Sequence, residues 1–198
     1  MKIVCLVSGG IDSTVLLFRL HKKNHELIPL FINYGQKSIK QEQKAANAAC
    51  KLLKLKLNVI DISGLSTIKS GLTNENISLT KSFFPNRNII LLSIASSFSA
   101  NYSCNVIAIG IIGETNFLDQ SKEFLQDAEK TLSYGRKIII LAPLSELNKL
   151  EVVRLAKVNN IPLDFTYSCY SGFLKPCKKC LGCVDRKKVF EIEGLNQS

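Results

Sequence analysis

The chain has 198 residues, 46% of them apolar, and a formal net charge of +10 from 26 basic and 16 acidic residues. This length predicts one domain, or one domain with a small appendage, that buries a substantial core. Because no apolar run approaches 18 residues and no signal-peptide pattern opens the chain, we expect a cytoplasmic protein without a membrane partner. The positive charge favours an anionic partner such as a nucleotide, although a solvated basic surface explains it equally well; the dispersed lysines do not indicate nucleic-acid binding.

Short apolar runs alternate with helical patterns along the chain. The runs predict strands at residues 2–7, 27–33, 57–62, 106–112 and 137–142. The helical patterns lie at about residues 13–22, 38–56, 88–103, 119–133 and 148–160. This order predicts an α/β fold with a mostly parallel, doubly wound, Rossmann-like sheet, whose ligands bind at the carboxyl ends of the strands.

Two segments lie outside the alternation. Residues 63–87 have no clean period and are rich in Ser, Thr, Gly and Asn, which predicts a long and therefore functional loop. The last thirty residues are rich in cysteine and lysine and finish in a short helical pattern. We therefore expect an α/β domain at residues 1–166 and an appendage at residues 167–198 packed on it.

The stretch "SGGIDSTVLL", residues 8–17, lies at the first strand-to-helix turn. Gly9 and Gly10 allow consecutive backbone N–H groups to converge on a phosphate at a helix N-terminus, where the helix dipole also favours an anion. Hydroxyl donors are added by Ser8, Ser13 and Thr14. Asp12 is expected to cap the helix or to help hold the magnesium of a nucleotide. The alternative is a plain Gly-Gly turn with an aspartate cap.

The seven cysteines are unevenly distributed. Three stand alone in apolar surroundings and are predicted to be buried: Cys5, Cys50 and Cys104. The other four are spaced C-x7-C-x2-C-x2-C and are Cys169, Cys177, Cys180 and Cys183. Four thiolates complete a tetrahedron around Zn²⁺, and a fully occupied shell indicates a structural site, so the sequence predicts a zinc-binding knuckle. An iron–sulfur cluster and a redox C-x2-C pair are the alternatives.

The turn resembles the PP-loop of the adenine-nucleotide α-hydrolases, which split ATP between its α- and β-phosphates. Over nearly its whole length the chain resembles the 7-cyano-7-deazaguanine synthase (QueC) family. The resemblance is carried by "SGGIDSTVLL", "YGQ" at 34–36, "FPNRN" at 84–88, "KLEVVRLA" at 149–156, "TYSCY" at 166–170, the cysteine spacing and Arg186. It implies that ATP contacts Val7, Ser8, Gly9, Gly10, Ile11, Asp12, Ser13, Thr14, Tyr34 and Arg87.

The resemblance also implies a reaction. A 7-deazaguanine carboxylate would be converted into a nitrile with ammonia and ATP, by two successive adenylations, on the route to queuosine or archaeosine. The expected catalytic residues are Asp12, Arg87 and Lys149, the last two as cations for phosphate or carboxylate. Ordinary surface or helix-end charges are the alternative for both cations, and a core tyrosine is the alternative for Tyr34.

Two segments depart from the family pattern. After "YGQ" the family usually carries a basic residue, His and then a Glu, whereas this chain has Lys37, Ser38 and Gln41, with Glu42 beside it. The family's D-x-S-G-Y-P-D-C-R is replaced by "GETNFLDQSKEF", residues 113–124, with Ser121 in place of the arginine and with Asp119 or Glu114 as the remaining guanine-edge acceptor.

These departures leave other functions open. One is an amide ligase that couples a deazaguanine or another carboxylate to a different amine, with a protein acceptor included. Another is a non-catalytic protein that binds nucleotide and zinc. A homodimer is a further open expectation.

Overall fold

The computed structural model describes residues 1–74, 76–79, 82–113 and 117–195. Its centre is one five-stranded, wholly parallel sheet in the order β3-β2-β1-β4-β5. The strands are β1 (Lys2–Leu6), β2 (Glu26–Asn33), β3 (Asn58–Asp61), β4 (Val106–Ala108) and β5 (Ile139–Leu141). The predicted α/β class and doubly wound sheet are confirmed. In the part of the chain that is described, no helix has the length and apolarity needed to span a bilayer.

Six α-helices accompany the sheet in the described residues. They are α1 (Ile11–Lys22), α2 (Ile39–Leu52), α3 (Arg87–Ser99), α4 (Lys122–Leu132), α5 (Lys149–Val158) and α6 (Leu181–Ile192). Short 3₁₀ turns occupy Ser63–Thr67, Ala100–Tyr102 and Leu118–Gln120. Each predicted strand and helix is present, although most are shorter than predicted.

The fourth strand shows why periodicity overestimated the strands. Apolar residues continue to Ile112, but regular pairing ends at Ala108, after which the Ile109 N–H still donates to the Leu141 carbonyl at 3.0 Å. At Gly110 the backbone passes so close to α1 that an added Cβ would lie 3.0 Å from the Ser13 nitrogen. The apolar residues beyond β4 therefore line a cavity instead of extending the ladder.

The core lies on both faces of the sheet and includes the whole of β1 from Ile3 onward. Helix α6 contributes to the same core through Val189 and Phe190. The boundary between residues 1–166 and 167–198 stays a prediction. Within the 63–87 loop, Leu72 and Phe84 are buried against Tyr34, whose ring meets that of Phe84 edge-on at 5.7 Å. The loop thus supports the end of β2.

Candidate active site

A cavity of about 340 Å³ opens at the carboxyl ends of the strands. It lies where the sheet order reverses, because β1 is flanked by β2 on one side and by β4 on the other. Its walls come from the turn after β1, the ends of β2 and β4, the first turns of α3 and α5, and residues 167–170. This is the topological switch point at which open α/β sheets bind their ligands.

The turn after β1 has the backbone geometry expected of an anion cradle. Gly9 has a φ of +79°, and an added Cβ would lie 2.3 Å from the Glu42 carbonyl oxygen, so only glycine fits. Gly10 precedes α1 without a side-chain cap. The Ser8 N–H donates to the Ser13 hydroxyl at 3.2 Å, and that hydroxyl donates to the Gly10 carbonyl at 3.2 Å. The turn is thereby held in shape while the first helical N–H groups stay without a capping acceptor.

Asp12 and Lys149 form an ion pair in the cavity wall. The Lys149 Nζ lies 2.8 Å from Oδ1 and 2.6 Å from Oδ2 of Asp12, and both side chains are about three-quarters buried. A capping box fixes the start of α5, because the Asn148 side chain accepts from the Glu151 N–H and the Glu151 carboxylate accepts from the Asn148 N–H. The prediction that Asp12 caps α1 is wrong, since Gly10 takes the cap position and the carboxylate faces Lys149.

The structure brings most of the predicted nucleotide contacts to this cavity. The lining includes Val7, Ser8, Gly10, Ile11, Asp12, Ser13, Tyr34, Arg87 and Lys149. Gly9 and Thr14 are not in the lining. Gly9 instead accepts the Tyr167 N–H at 2.9 Å, and Thr14 is fully buried with no hydrogen-bond partner for its hydroxyl among the described residues.

The part of the cavity wall that follows β2 contains a buried polar cluster built on Gln36. The Gln36 side chain accepts the Tyr34 N–H at 2.9 Å and donates to Glu42 Oε2 at 3.0 Å. The Ser38 hydroxyl donates to Glu42 Oε1 at 2.7 Å. Sequence analysis noted Glu42 only as the neighbour of Gln41, whereas the structure places its carboxylate in the wall of the cavity.

Arg87 begins α3 and lies near this carboxylate and two tyrosines. It forms a side-chain hydrogen bond with Tyr34. Burial raises the pKa of Tyr34 and of Tyr170 to about 12, although the nearby Arg87 charge lowers both, so the two phenols stay neutral. Burial also raises the pKa of Glu42, against the lowering effects of the Ser38 and Gln36 hydrogen bonds and of Arg87. The part of the cavity wall around Gln36 and Arg87 therefore combines a guanidinium, a carboxylate and aromatic rings.

Part of the divergent segment 113–124 borders the cavity. Phe117 and Gln120 are in the lining. The backbone carbonyl of Asp119 accepts from the Asn88 side chain at 2.9 Å, and Ser121 caps α4 by accepting the Phe124 N–H at 3.0 Å. The position where the family has arginine is thus used as a helix cap in this chain. Glu114 lies outside the described residues.

Two residues of α6 have roles that the sequence did not reveal. Asp185 lines the cavity beside Asp12 and Lys149. Burial raises its pKa, partly offset by Lys149 and Lys188. Arg186, matched as a motif residue, is buried, donates to the Thr166 hydroxyl at 2.6 Å and the Leu163 carbonyl at 3.2 Å, and lies 4.2 Å from the centre of the Phe190 ring. It fastens α6 to residues 163–166.

The four clustered cysteines come together as a metal site. Their sulfur atoms all lie within 4.8 Å of one another. The Cys177–Cys183 and Cys169–Cys180 Sγ distances are 3.9 and 4.0 Å. A tetrahedron of sulfurs about 2.3 Å from one ion has edges of about 3.8 Å, so the spacing suits a single ion. Cys5, Cys50 and Cys104 are buried elsewhere, as predicted.

Backbone N–H groups surround the same sulfurs. Cys177 donates to Cys169 Sγ at 3.3 Å, Cys180 donates to Cys177 Sγ at 3.4 Å, and Tyr170 donates to Cys180 Sγ at 3.4 Å. Such donors stabilise thiolates and orient them toward a metal. The cluster is therefore able to hold a metal ion, and it ties Tyr170 of the cavity wall to the knuckle.

Comparison with solved structures supports the fold. One similar structure is the U34-tRNA thiolase NcsA from Methanococcus maripaludis with its [4Fe-4S] cluster, with a TM-score of 0.57 and 19% sequence identity. The match covers 97% of this chain and 65% of the thiolase, so the chain spans a little under two thirds of that protein's length. At this identity the likeness concerns the fold alone.

Closer relatives are found by sequence. A 7-cyano-7-deazaguanine synthase 1 from Desulfitobacterium hafniense (strain Y51) is 37% identical, covering 96% of this chain and 92% of the relative. A 7-cyano-7-deazaguanine synthase from Campylobacter jejuni subsp. doylei is 34% identical, covering 98% and 95%. The family model described as "Queuosine biosynthesis protein QueC" matches residues 2–194. With the PP-loop turn, the switch-point cavity and the cysteine knuckle in one chain, this match shows that the protein belongs to the QueC family.

Proposed function

We propose that the protein converts 7-carboxy-7-deazaguanine into 7-cyano-7-deazaguanine with ammonia and ATP, on the route to queuosine or archaeosine. The proposal is supported by the synthase names of relatives that match almost end to end. The observation that carries it is one cavity that joins an anion cradle at residues 8–13 to a polar, aromatic end around Tyr34 and Arg87. Such a cavity suits a nucleotide phosphate chain beside a heterocyclic acid.

The chemistry needs two activations. A carboxylate is a poor electrophile, so its oxygen first attacks the α-phosphorus of ATP and pyrophosphate leaves. Ammonia then displaces AMP, forms the C–N bond and loses a proton to give the amide. The amide oxygen attacks a second ATP, and loss of AMP with the remaining N–H protons gives the nitrile. Two ATP and one ammonia are consumed for each nitrile.

The residues divide this work by position. The N–H groups at the start of α1 bind the departing pyrophosphate. Asp12 would hold the magnesium that accompanies ATP, which requires Lys149 to leave Asp12 and turn toward the phosphates. Arg87 orients an oxygen of the deazaguanine substrate with its remaining N–H donors. Alignment of the carboxylate with the α-phosphorus supplies much of the rate enhancement in such a site.

The cysteine knuckle is proposed to hold structural zinc. Four protein sulfurs complete its tetrahedral shell, which leaves no position for substrate. Its contribution is to fix residues 167–170 and α6 against the cavity. Nucleotide magnesium, ammonia as the nitrogen source and a homodimer belong to this proposal as predictions.

A second function is favoured by the divergent segment. Ser121 caps α4 where the family has arginine, and Phe117 and Gln120 bring no charge to the cavity. The absence of the family's charged side chains from these positions favours an amide ligase that uses another carboxylate or another amine, a protein amine included. A protein that only binds nucleotide and zinc is the remaining alternative.

Mass spectrometry of one reaction separates these functions. The reaction contains ATP, magnesium, ¹⁵N-ammonia and 7-carboxy-7-deazaguanine, with Asp12→Asn as the inactive control. Labelled nitrile together with AMP and pyrophosphate is the expected result. Labelled amide alone favours the ligase, absence of any product favours the binding protein, and ADP with phosphate contradicts the PP-loop assignment.

A further inference from the structure

Three acidic side chains line the described part of the cavity: Asp12, Glu42 and Asp185. Asp12 is held by Lys149, and Asp185 lies beside the same lysine. Glu42 lies among Gln36, Ser38, Tyr34 and Arg87, and none of the ion pairs among described residues includes it. Asp185 also takes part in none of these ion pairs, but Glu42 differs from it in having both carboxylate oxygens oriented by neutral hydrogen-bond donors.

Two hydrogen bonds fix this carboxylate in one orientation. Gln36 donates to Oε2 and Ser38 donates to Oε1, so each oxygen is held by one neutral donor. A carboxylate has about four acceptor positions, which leaves about one on each oxygen for a ligand. Two adjacent N–H donors of a ligand are the natural partners of such a pair of oxygens.

The surroundings of Glu42 suit a flat heterocycle. Tyr34, Tyr170 and Phe117 line the same cavity and offer aromatic faces. Arg87 lies next to the carboxylate and carries N–H donors. The wall therefore presents a donor beside two acceptors. The edge of guanine presents the complement, a carbonyl oxygen followed by a ring N–H and an exocyclic amine, whereas adenine offers one amine beside an acceptor nitrogen.

We propose that Glu42 is a specificity-determining residue, which accepts the ring N–H and exocyclic amine of a guanine-type substrate while Arg87 faces the neighbouring carbonyl oxygen. The inference rests on the proposed function and names the recognition of its substrate. It also explains how the cavity could bind a guanine-type base selectively although the described cavity residues of segment 113–124 are uncharged.

This arrangement leaves the reacting group free. On a 7-deazaguanine the 7-carboxylate lies on the edge of the ring system away from the ring N–H and the exocyclic amine. With those donors on Glu42, the carboxylate is directed away from α2 and can face the turn at residues 8–13. Helix α2 packs closely on this turn, since an added Cβ at Gly9 would lie 2.3 Å from the Glu42 carbonyl oxygen.

The test compares two ligands and three proteins by calorimetry. The ligands are 7-carboxy-7-deazaguanine and the analogue that lacks only the exocyclic amine. The proteins are wild type, Glu42→Gln, and Glu146→Gln as a matched loss of an exposed acid outside the cavity. We expect wild type and Glu146→Gln to prefer the amine-bearing ligand by about 10- to 100-fold, as for a hydrogen bond to a charged group, and Glu42→Gln to lose this preference.

ATP affinity serves as the internal reference. It should stay within about twofold in Glu42→Gln. An unchanged ligand preference in Glu42→Gln overturns the proposal. A selective loss of ATP affinity in this variant also overturns it, because Glu42 would then bind the adenine amine of ATP. If Glu42→Gln fails to fold, two other results decide. The proposal is overturned if wild type prefers the amine-bearing ligand by less than threefold, or if Glu42→Asp keeps the full wild-type preference. A wild type that binds ATP but neither deazaguanine overturns the proposed function itself.

Discussion

In one part of the cavity wall, residues 8–13 form the anion cradle as one uninterrupted turn, and Lys149 joins them from α5. In another part, the side chains come from four separate segments and belong to Tyr34, Glu42, Arg87, Tyr167 and Tyr170. We call these the phosphate end and the base end. The phosphate end depends on backbone geometry that a short motif specifies. The base end depends on the positions of whole elements relative to one another.

The two ends therefore differ in the amino-acid substitutions that they tolerate. The phosphate end tolerates little substitution, because Gly9 has a positive φ and α2 leaves no room for a Cβ there. The base end is an assembly of side chains, so one residue can be exchanged for another on a facing segment while the cavity survives. Segment 113–124 illustrates this, because its Ser121 has become a helix cap. The four predictions below test how far the two ends are independent.

The largest effect is expected from disrupting the four-cysteine site beside the base end. In Cys180→Ser one thiolate is lost from a closed site whose binding free energy is also folding free energy. We expect loss of stoichiometric zinc and destabilisation by more than about 4 kcal/mol, measured by metal analysis and thermal unfolding. The control is Cys104→Ser, because the Cys104 thiol hydrogen-bonds to the Lys2 carbonyl and a hydroxyl can keep that bond. Full zinc content in Cys180→Ser would contradict the ligand assignment.

The next effect concerns the phosphate end. Gly9→Ala forces a left-handed φ on alanine and places its Cβ 2.3 Å from the Glu42 carbonyl. Denaturant unfolding should show destabilisation by about 2–4 kcal/mol, and calorimetry should show the loss of measurable ATP binding. Gly64→Ala is the matched control, because an added Cβ there meets nothing within 4 Å. Normal ATP affinity in Gly9→Ala would show that this turn is not the nucleotide cradle.

Features built from neighbouring residues could be predicted from the sequence, whereas contacts between distant segments could not. The alternation of strands and helices, the turn at residues 8–14 and the grouping of the four cysteines were predicted because each depends on periodicity or on closely spaced residues. Of the two roles predicted for Asp12, the helix cap was wrong because its partner, Lys149, is 137 residues away, whereas the magnesium role stays a prediction. Tertiary contacts of that kind leave no local signal.

The choice between Gln41 and Glu42 shows the limit most clearly. Successive residues on a helix point about 100° apart, so the phase of α2 decides which side chain faces the active site. The structure directs Glu42 into the cavity and Gln41 to a separate surface depression near Lys44 and Lys175. Asp185 was missed for the same reason, since only the phase of α6 brings it beside Lys149. Helical periodicity gives the buried face, but it does not say which neighbour that face meets.

A smaller effect, confined to catalysis, is expected from Lys149→Ala. The pair with Asp12 lines a cavity and is not part of the hydrophobic core, so its loss should change stability only modestly, by about 1–2 kcal/mol. If Lys149 turns to the phosphates in the reaction, kcat should fall by about 100- to 1,000-fold, measured by pyrophosphate release. Lys157→Ala, in the same helix but paired with Glu193 outside the cavity, is expected to keep kcat. Equal kcat in the two variants would remove Lys149 from the catalytic residues.

The smallest effect is a pH dependence of stability at the base end. Burial raises the pKa of Glu42 above its ordinary value of 4.5, with Ser38, Gln36 and Arg87 opposing the shift. The folded protein therefore holds this proton more tightly than the unfolded chain does, so stability falls as the pH rises from about 4.5 through the raised pKa. The facing phenols, Tyr34 and Tyr170, have pKa values of about 12 and do not titrate in this range.

Glu42→Gln removes the titrating group but keeps its shape. The Tm of this variant relative to wild type should therefore rise with pH through that window, by a few °C in total, while Glu146→Gln controls for the loss of one negative charge. Thermal unfolding between pH 4 and about pH 8 measures the difference. A difference that is constant with pH, or that falls as the pH rises, would mean that the carboxylate is ionised at least as easily in the fold as in water. It would then be more solvated than its place in the cavity wall indicates, and the base end would be open to water before any ligand binds.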